Sequence, residues 1–588
     1  MTSDQRREAY RADVVYAPLT QIGFDVLHDG LVETVEERVL TGPDHLIVDE
    51  CDSILVDQAR IPLVIAGSWG EDSDPFTSDA MNVVTDLVLG DHFEVDDGRT
   101  AVWLTERGQH EVERRLGGIR LYDRAHSDAL TAVNLALHAR ALAVRDVDYV
   151  VTDGGVHIID TSRGRVAHGR RWPDGLQEAV EIKERLPRSG RGMILDQLTV
   201  PALVRTYRSV AGMSGTAYGA REALDELYRL PVVRVPPHRP RQRVDEPIRV
   251  FDTAEHARSA LVARVIQQHG IGQPVLVGTQ SVAESERLSS LLDDSQVPHA
   301  VLNAKNDAVE ANLVALAGRT GAVTVSTQMA GRGTDIALMP AADGDIDPRD
   351  RGGLLVLALG MYPSSRLDDQ LRGRAGRQGE PGRSAIYVAL DDGLIVSHGP
   401  DTTAWRTAAG TGGRIDTTSA TASVRHAQRV AEGIDHESLL STWRYYAVIA
   451  SHRSQFQAAR ESILANTENT LSRRVHLAAL DRRWSNHLGL LSELREGIHL
   501  RVMARVNPWL SFNADAESDF ATLVLDARTE ADGLLATHLD ARDPGDLGLR
   551  RPSATWTYLL ADMHLGDETE RVIRALRHGV FRRTSSRS

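Results

Sequence analysis

The chain has 588 residues, 42% hydrophobic and 25% charged, a globular composition that excludes wholesale disorder and predicts about three to five domains. The net charge of −15 argues against a dedicated nucleic-acid binder, and the single cysteine, Cys51, excludes an internal disulfide or a cysteine-rich zinc site. No run approaches the roughly 18 apolar residues of a membrane span, and the opening MTSDQRREAY is polar rather than signal-like, predicting a soluble protein of a reducing cytoplasm.

Residues 11–68 alternate short apolar runs with helical stretches, and LIVD at 46–49 is apolar enough for a parallel sheet covered on both faces. From about 69 the texture turns acidic and loop-like. DYVVTDGGVHIIDTSRGRVAHGRR (148–171) then predicts two strands around the Asp153-Gly154 turn and a second turn near Gly164. Asp174 is expected to cap a helix over GLQEAVEIKERL, with Gln177 at the capping-box position. This block reads as an antiparallel insertion within an α/β domain. Residues 187–231 return to helix and short strand, and 233–247 form a proline- and arginine-rich linker. PVLVGT (274–279), AVTVST (322–327) and GGLLVLAL (352–359), separated by helical patterns, predict a second parallel α/β domain. Residues 396–422 read as loop and the chain from 423 as helix. There Leu477, Leu480, Trp484, Leu488, Leu491, Leu494 and Ile498 make one apolar face that runs until Asn507-Pro508. The basic tail FRRTSSRS is expected to be solvated.

Three stretches carry candidate chemistry. Asp49 and Glu50 end an apolar strand, where an aspartate can hold Mg²⁺ through water and a glutamate can polarise an attacking water. In STQMAGRGTDIAL (326–338) a strand opens into a glycine-punctuated turn bearing Arg332, Gly333 and Asp335, suited to close approach of a ligand or a facing domain. In QLRGRAGRQGEPG (370–382), Gln370, Gly373, Arg374 and Arg377 match Gln-x-x-Gly-Arg-x-x-Arg. On a helix start the two arginines would lie one turn apart and point across a cleft at a transferring phosphoryl group.

The order of these motifs belongs to the two-RecA-domain motors of helicase superfamily two. The wording of VDECDSILVDQARIPLVIAG, GRRWPDGLQEAVEIKE, AGMSGTA, TQMAGRGTDIAL, QLRGRAGRQGEPGRSAIYVALDDGL and LDRRWSNHLGLLSELREGIHLR resembles the SecA family of preprotein-translocating ATPases along nearly the whole chain. The resemblance implies an α/β plus α fold. Residues 1–68 and 187–236 would form an incomplete first RecA-like domain, 69–186 a preprotein cross-linking insertion, 237–395 a second RecA-like domain, and 396–588 a helical scaffold and finger region without the wing domain. It further implies Asp49 and Glu50 as the Walker B pair, Ser214, Gly215 and Thr216 as the segment coupling nucleotide state to domain movement, Asp335 as a nucleotide contact, and Arg374 and Arg377 as arginine fingers. ATP and Mg²⁺ are the implied ligands, without zinc. The implied partners are unfolded preproteins, the SecYEG channel, anionic lipids and a housekeeping SecA, at the inner face of the cell membrane. The missing wing and zinc tail, with STQMAG in place of a more usual Thr-Asn-Met-Ala-Gly, resemble the accessory SecA of actinobacteria.

One departure bears on activity. Of the 67 basic residues only Lys183 and Lys305 are lysine, and neither follows a glycine, so the 588 residues contain no phosphate-loop lysine. In the family that loop lies upstream of the stretch corresponding to RREAYRADVVY. The expectation is therefore a shortened chain or a start codon assigned at an internal methionine, which alone neither binds ATP tightly nor hydrolyses it. A superfamily-two RNA or DNA helicase and a non-catalytic preprotein- or channel-binding fragment are the alternatives.

Overall fold

The computed structural model describes residues 1–560 except 43, 69–74, 96–101, 122–125, 153, 161–164, 167–169, 173–174, 189–192, 303–309, 328–334, 341–345, 408, 467–469, 497–506, 550–551 and 553. The chain begins with α1 (Ser3–Ala9), closed by a Thr2/Gln5 capping box, and α2 (Leu19–Asp29). β1 (His45–Asp49) follows, and then β2 (Leu63–Ser68), which carries the chain out of the first lobe.

The insertion packs α3 (Pro75–Thr85), the hairpin β3 (Phe93–Val95) and β4 (Val102–Leu104), α4 (Glu106–Arg115) and α5 (Ser127–Ala141) around Val84, Val133 and Leu137. β5 (Tyr149–Thr152), β6 (Gly155–Asp160) and β7 (Arg165–Val166) form the expected antiparallel meander, with Gly154 at φ +75°. Asp153 and Gly164 lie outside the described residues. After β8 (Arg170–Arg171), α6 (Leu176–Lys183) starts one residue later than a cap at Asp174 requires. Its N-cap is Gly175 at φ +83°, a left-handed conformation that glycine adopts without penalty, and Gln177 bonds Glu181 rather than closing a capping box. Asp174 is outside the described residues.

β9 (Met193–Leu198) returns antiparallel along β2, making a two-strand stem. α7 (Val200–Val204), β10 (Ser209–Met213) and α8 (Arg221–Tyr228) complete the first lobe. β1 and β10 pair in parallel, Asp49 opposite Met213. Only one face is packed, on Cys51, Leu55, Val200 and Leu224. On the other, Ile47 is 71% exposed, so the expectation of a strand covered on both faces fails among the described residues.

The second lobe is the predicted parallel sheet. It comprises β11 (Gln242–Asp245), β12 (Arg249–Phe251), α9 (Ala254–Gly270), β13 (Val275–Thr279), α10 (Val282–Asp294), β14 (Ala300–Leu302), α11 (Glu310–Leu316), β15 (Val323–Thr327), β16 (Leu354–Leu359), α12 (Ser365–Arg372), β17 (Pro381–Ala389) and α13 (Gly393–His398). The strand order is β14-β15-β13-β16-β17-β12, parallel throughout, and every residue of β13, β15 and β16 is buried. Continuous Val/Leu runs suit strands with a core on each face.

The segment expected as loop holds α14 (Thr403–Arg406) and β18 (Arg414–Ile415), which joins β12 antiparallel, and the scaffold helix α15 (Thr418–Asn466) starts inside it. At 49 residues α15 is about 73 Å long. Its first turns bury Ala420, Val424 and Ala427 in the core of the second lobe, and its middle lies along the first. α16 (Thr470–Glu496) buries the predicted stripe of Leu477, Leu480, Trp484, Leu488 and Leu491, while Ile498 lies outside the described residues. α17 (Pro508–Phe520), capped by Asn507, and α18 (Leu523–Thr537) pack against it, with Phe456 stacked on Trp484 at 4.7 Å. β19 (Ala554–Leu560) lies antiparallel along β2 as an added strand of the stem. No described helix is long and apolar enough to cross a membrane.

One buried carboxylate ties stem to scaffold. Asp196, fully buried on β9, accepts bonds from Arg453 Nη2 at 2.7 Å and Trp484 Nε1 at 3.2 Å. Asp196→Ala strands the Arg453 guanidinium and should cost about 3–5 kcal/mol in urea unfolding. A loss within the scatter of surface variants would show that the tie carries nothing.

Candidate active site

β1 delivers Asp49 at its carboxyl end, where Asp49 Oδ1 accepts the Glu50 N–H at 2.9 Å and turns the chain. Glu50 sits at φ +51°, a left-handed conformation costly for a residue with a Cβ and characteristic of functional turns. The chain then enters a wide π-type turn over Ser53–Asp57. This turn buries Asp52 completely and aims it at the second lobe.

Asp52 is the meeting point. Its Oδ2 accepts from Thr216 Oγ1 at 2.7 Å, Arg366 Nη1 at 2.9 Å and Gln370 Nε2 at 2.9 Å. Arg366 and Gln370 are four apart on α12 and share a face. Arg366 also bonds Asp57, and Gln370 Nε2 reaches Thr216 Oγ1 at 3.1 Å. Burial alone would raise the Asp52 carboxyl, but the Arg366 charge and the hydroxyls of Ser214 and Thr216 outweigh it and hold it below the usual range. Burial likewise opposes the Arg366 charge, and Asp57 and Asp52 more than restore it.

The predicted site residues divide into two groups. The structure brings Asp49, Glu50, Ser214, Gly215, Thr216 and Gln370 to one seam, because Asp52 lies three residues beyond Asp49 and Gln370 touches Asp52 directly. Ser214 Oγ accepts the Thr216 N–H at 3.2 Å, which shapes the turn after β10. Gln370 stands differently from its expected ligand-contacting place. Its Nε2 joins the lobes and its Oε1 is buried without a hydrogen-bond partner among the described residues.

The arginine pair is not on a helix start. α12 ends at Arg372 with Gly373 as its C-cap, and the pair follows in a turn reversed by Gly376 at φ +68°. A Cβ at Gly376 would meet Arg243 Cβ at 2.6 Å, so the reversal needs glycine. Arg374 is consequently buried, while Arg377 is half-exposed and paired with Asp335 Oδ1 at 2.8 Å. Arg332 and Gly333 lie outside the described residues.

Asp52, Asp57 and Arg366 were missed by motif reasoning. The signal was available: Arg366 stands one helical turn before Gln370, and Asp52 and Asp57 follow Asp49 within a polar-apolar turn. For a magnesium ion, Asp49 offers one exposed oxygen that bonds nothing among the described residues. That fits the ion's habit of taking one or two carboxylates with waters and phosphate oxygens. Among the described residues no group of three or more His, Cys, Asp or Glu is placed to bind a metal by itself.

Comparison with known proteins bears on the same residues. A SecA DEAD-like domain model matches 1–225, a SecA P-loop domain model 240–350 and 345–407, and a SecA wing and scaffold model 419–537. Protein translocase subunit SecA 2 of Thermobifida fusca is 44% identical over 606 aligned positions, covering 97% of this chain and 78% of that protein. The SecA 2 subunits of Mycolicibacterium smegmatis and Mycobacterium tuberculosis are 43% and 42% identical, each over 99% of this chain and 79% and 76% of their own length.

Two outcomes test this geometry. In urea unfolding, Asp52→Ala and Arg366→Ala should each cost about 3–5 kcal/mol, and the double variant clearly less than their sum; simple additivity would show that the pair is not coupled. The second concerns Asp368 on α12, whose carboxyl burial pushes up to about 7. A raised acid makes the folded state bind the extra proton, so its contribution is present below about pH 4 and is lost as pH rises toward 7. Asp368→Asn should remove that part of the stability loss between pH 4 and 7; an unchanged slope would contradict it.

Proposed function

The chain belongs to the SecA family of protein translocases, and from that premise we propose that it is the motor and clamp body of an accessory protein-export system. In this reading nucleotide binds between the two lobes, and their closure is passed to the scaffold and insertion to drive unfolded preproteins through the SecYEG channel. The work takes place at the cytoplasmic face of the membrane, beside anionic lipids and a housekeeping SecA.

The observation that carries the reading is the Asp52 seam. It holds the acidic end of β1, the Ser214–Thr216 turn and the Gln370 helix together across the two lobes. Within that cleft Asp49 would hold Mg²⁺ through water and Glu50 would orient the attacking water. Arg374 and Arg377 would neutralise developing phosphoryl charge, with Asp335 and Gly373 on the second-lobe side. Arg377 must leave Asp335 to do so, a small step because the pair is solvent-screened. The stem supports the clamp: β19 pairs along β2 through backbone hydrogen bonds, the mode by which a sheet edge reads an extended chain of any sequence.

With no lysine after a glycine, these 588 residues alone should bind unfolded preprotein without turning over ATP. Anisotropy of a labelled unfolded preprotein should report binding that duplex RNA or DNA does not compete, while phosphate release stays at background. Family-like ATP turnover would refute the inactivity, and duplex binding without preprotein binding would favour the helicase reading.

A further inference from the structure

α12 is gripped from both sides. Toward the first lobe it presents Arg366 and Gln370 to Asp52. On its other side, Gln428 of α15, itself buried, donates both amide hydrogens: to Asp368 Oδ2 at 2.7 Å and to the Tyr362 carbonyl at 2.9 Å. Tyr362 N–H closes the loop onto Asp368 Oδ1 at 3.2 Å. One turn along α15, Glu432 Oε1 accepts the Ser365 N–H at 2.5 Å, capping α12 where its own N-cap Ser364 makes no side-chain bond. Around these polar contacts Leu367 and Leu371 of α12 share a core with Ala420, Val424 and Ala427 of α15.

We propose that Gln428 is a positioning residue for the cleft: by fixing Asp368 and the turn at Tyr362, it sets where α12 presents Arg366 and Gln370 to Asp52. The scaffold helix is thereby part of the machinery that orients the seam, and α12 and the first turns of α15 move as one body. Removing Gln428 leaves a buried carboxylate and a buried carbonyl short of a donor, and α12 relaxes its hold on the 50–57 turn. This role deepens the motor reading and rests on it, but its test needs neither nucleotide nor preprotein.

The reporter is native. Cys51, the single cysteine of the 588 residues, is buried in the first lobe beside Asp52, and every contact of Gln428 named above is with α12 or the turn that precedes it. In the full-length chain, Gln428→Leu should raise the rate at which a thiol reagent labels Cys51 by about tenfold, with circular dichroism unchanged. Asp368→Leu, which removes the acceptor that Gln428 holds, should also raise the rate, and combining it with Gln428→Leu should add clearly less than the product of the two effects. If Gln428→Leu does not fold, Gln428→Asn, one methylene short, should show the same acceleration. A wild-type labelling rate in the Gln428 variant while Arg366→Ala accelerates it would overturn the proposal, as would effects of Gln428→Leu and Asp368→Leu that simply multiply. Loss of preprotein binding in the wild-type chain would sink the motor reading and leave this result standing.

Discussion

A carboxylate with no exposure to solvent must be satisfied where it lies, and Asp52 is satisfied largely from the other lobe. Thr216, Arg366 and Gln370 donate to it from two places in the chain, the turn after β10 and α12. The 50–57 turn therefore cannot settle without the second lobe, and α12 cannot leave without stranding a charge. That reciprocal need fixes the turn that follows Asp49 and the strained Glu50 backbone against the α12 face carrying Arg366 and Gln370.

The same economy of buried charge recurs along the scaffold. α15 starts in the core of the second lobe and then contacts the first lobe and its stem repeatedly. Asp435 meets Arg60 at 2.9 Å, Arg453 clasps Asp196, and Arg460 reaches the Val32 carbonyl at 3.2 Å. Arg205 adds a stacking contact 4.6 Å above Trp443. A helix anchored in one lobe and riveted to the other is a strut. Any change in the angle between the lobes must either break these rivets or carry the helix, and with it the Trp484 core of α16 and α17, along. In the proposed motor, that is the route by which lobe movement would reach α16 and α17.

The parts legible in sequence are those whose physics is local. β13, β15 and β16 announce themselves because a parallel strand with a core on each face favours a continuous small or apolar run, here only Val, Leu, Ala, Gly, Ser and Thr. The α16 stripe is legible because its spacing is the helical repeat. Arg374 and Arg377, expected on a helix start, lie elsewhere because Gly373 ends α12 and Gly376 reverses the backbone, so Arg374 is buried and Arg377 stays partly exposed. Asp52 and Arg366 stand 314 positions apart, and only the docking of two lobes makes them partners. Ile47 looked like a core residue because composition reports what a strand could bury, not what covers it.

If the Asp52 seam sets the relation of the two lobes, the distance between them must depend on it. Spin labels at exposed Asp225 and Ala263, in a Cys51→Ser background, report that distance by electron paramagnetic resonance. The otherwise wild-type chain should give a single narrow distribution and Arg366→Ala a broad, longer one. Identical distributions for the two would mean that the lobes are held by something else.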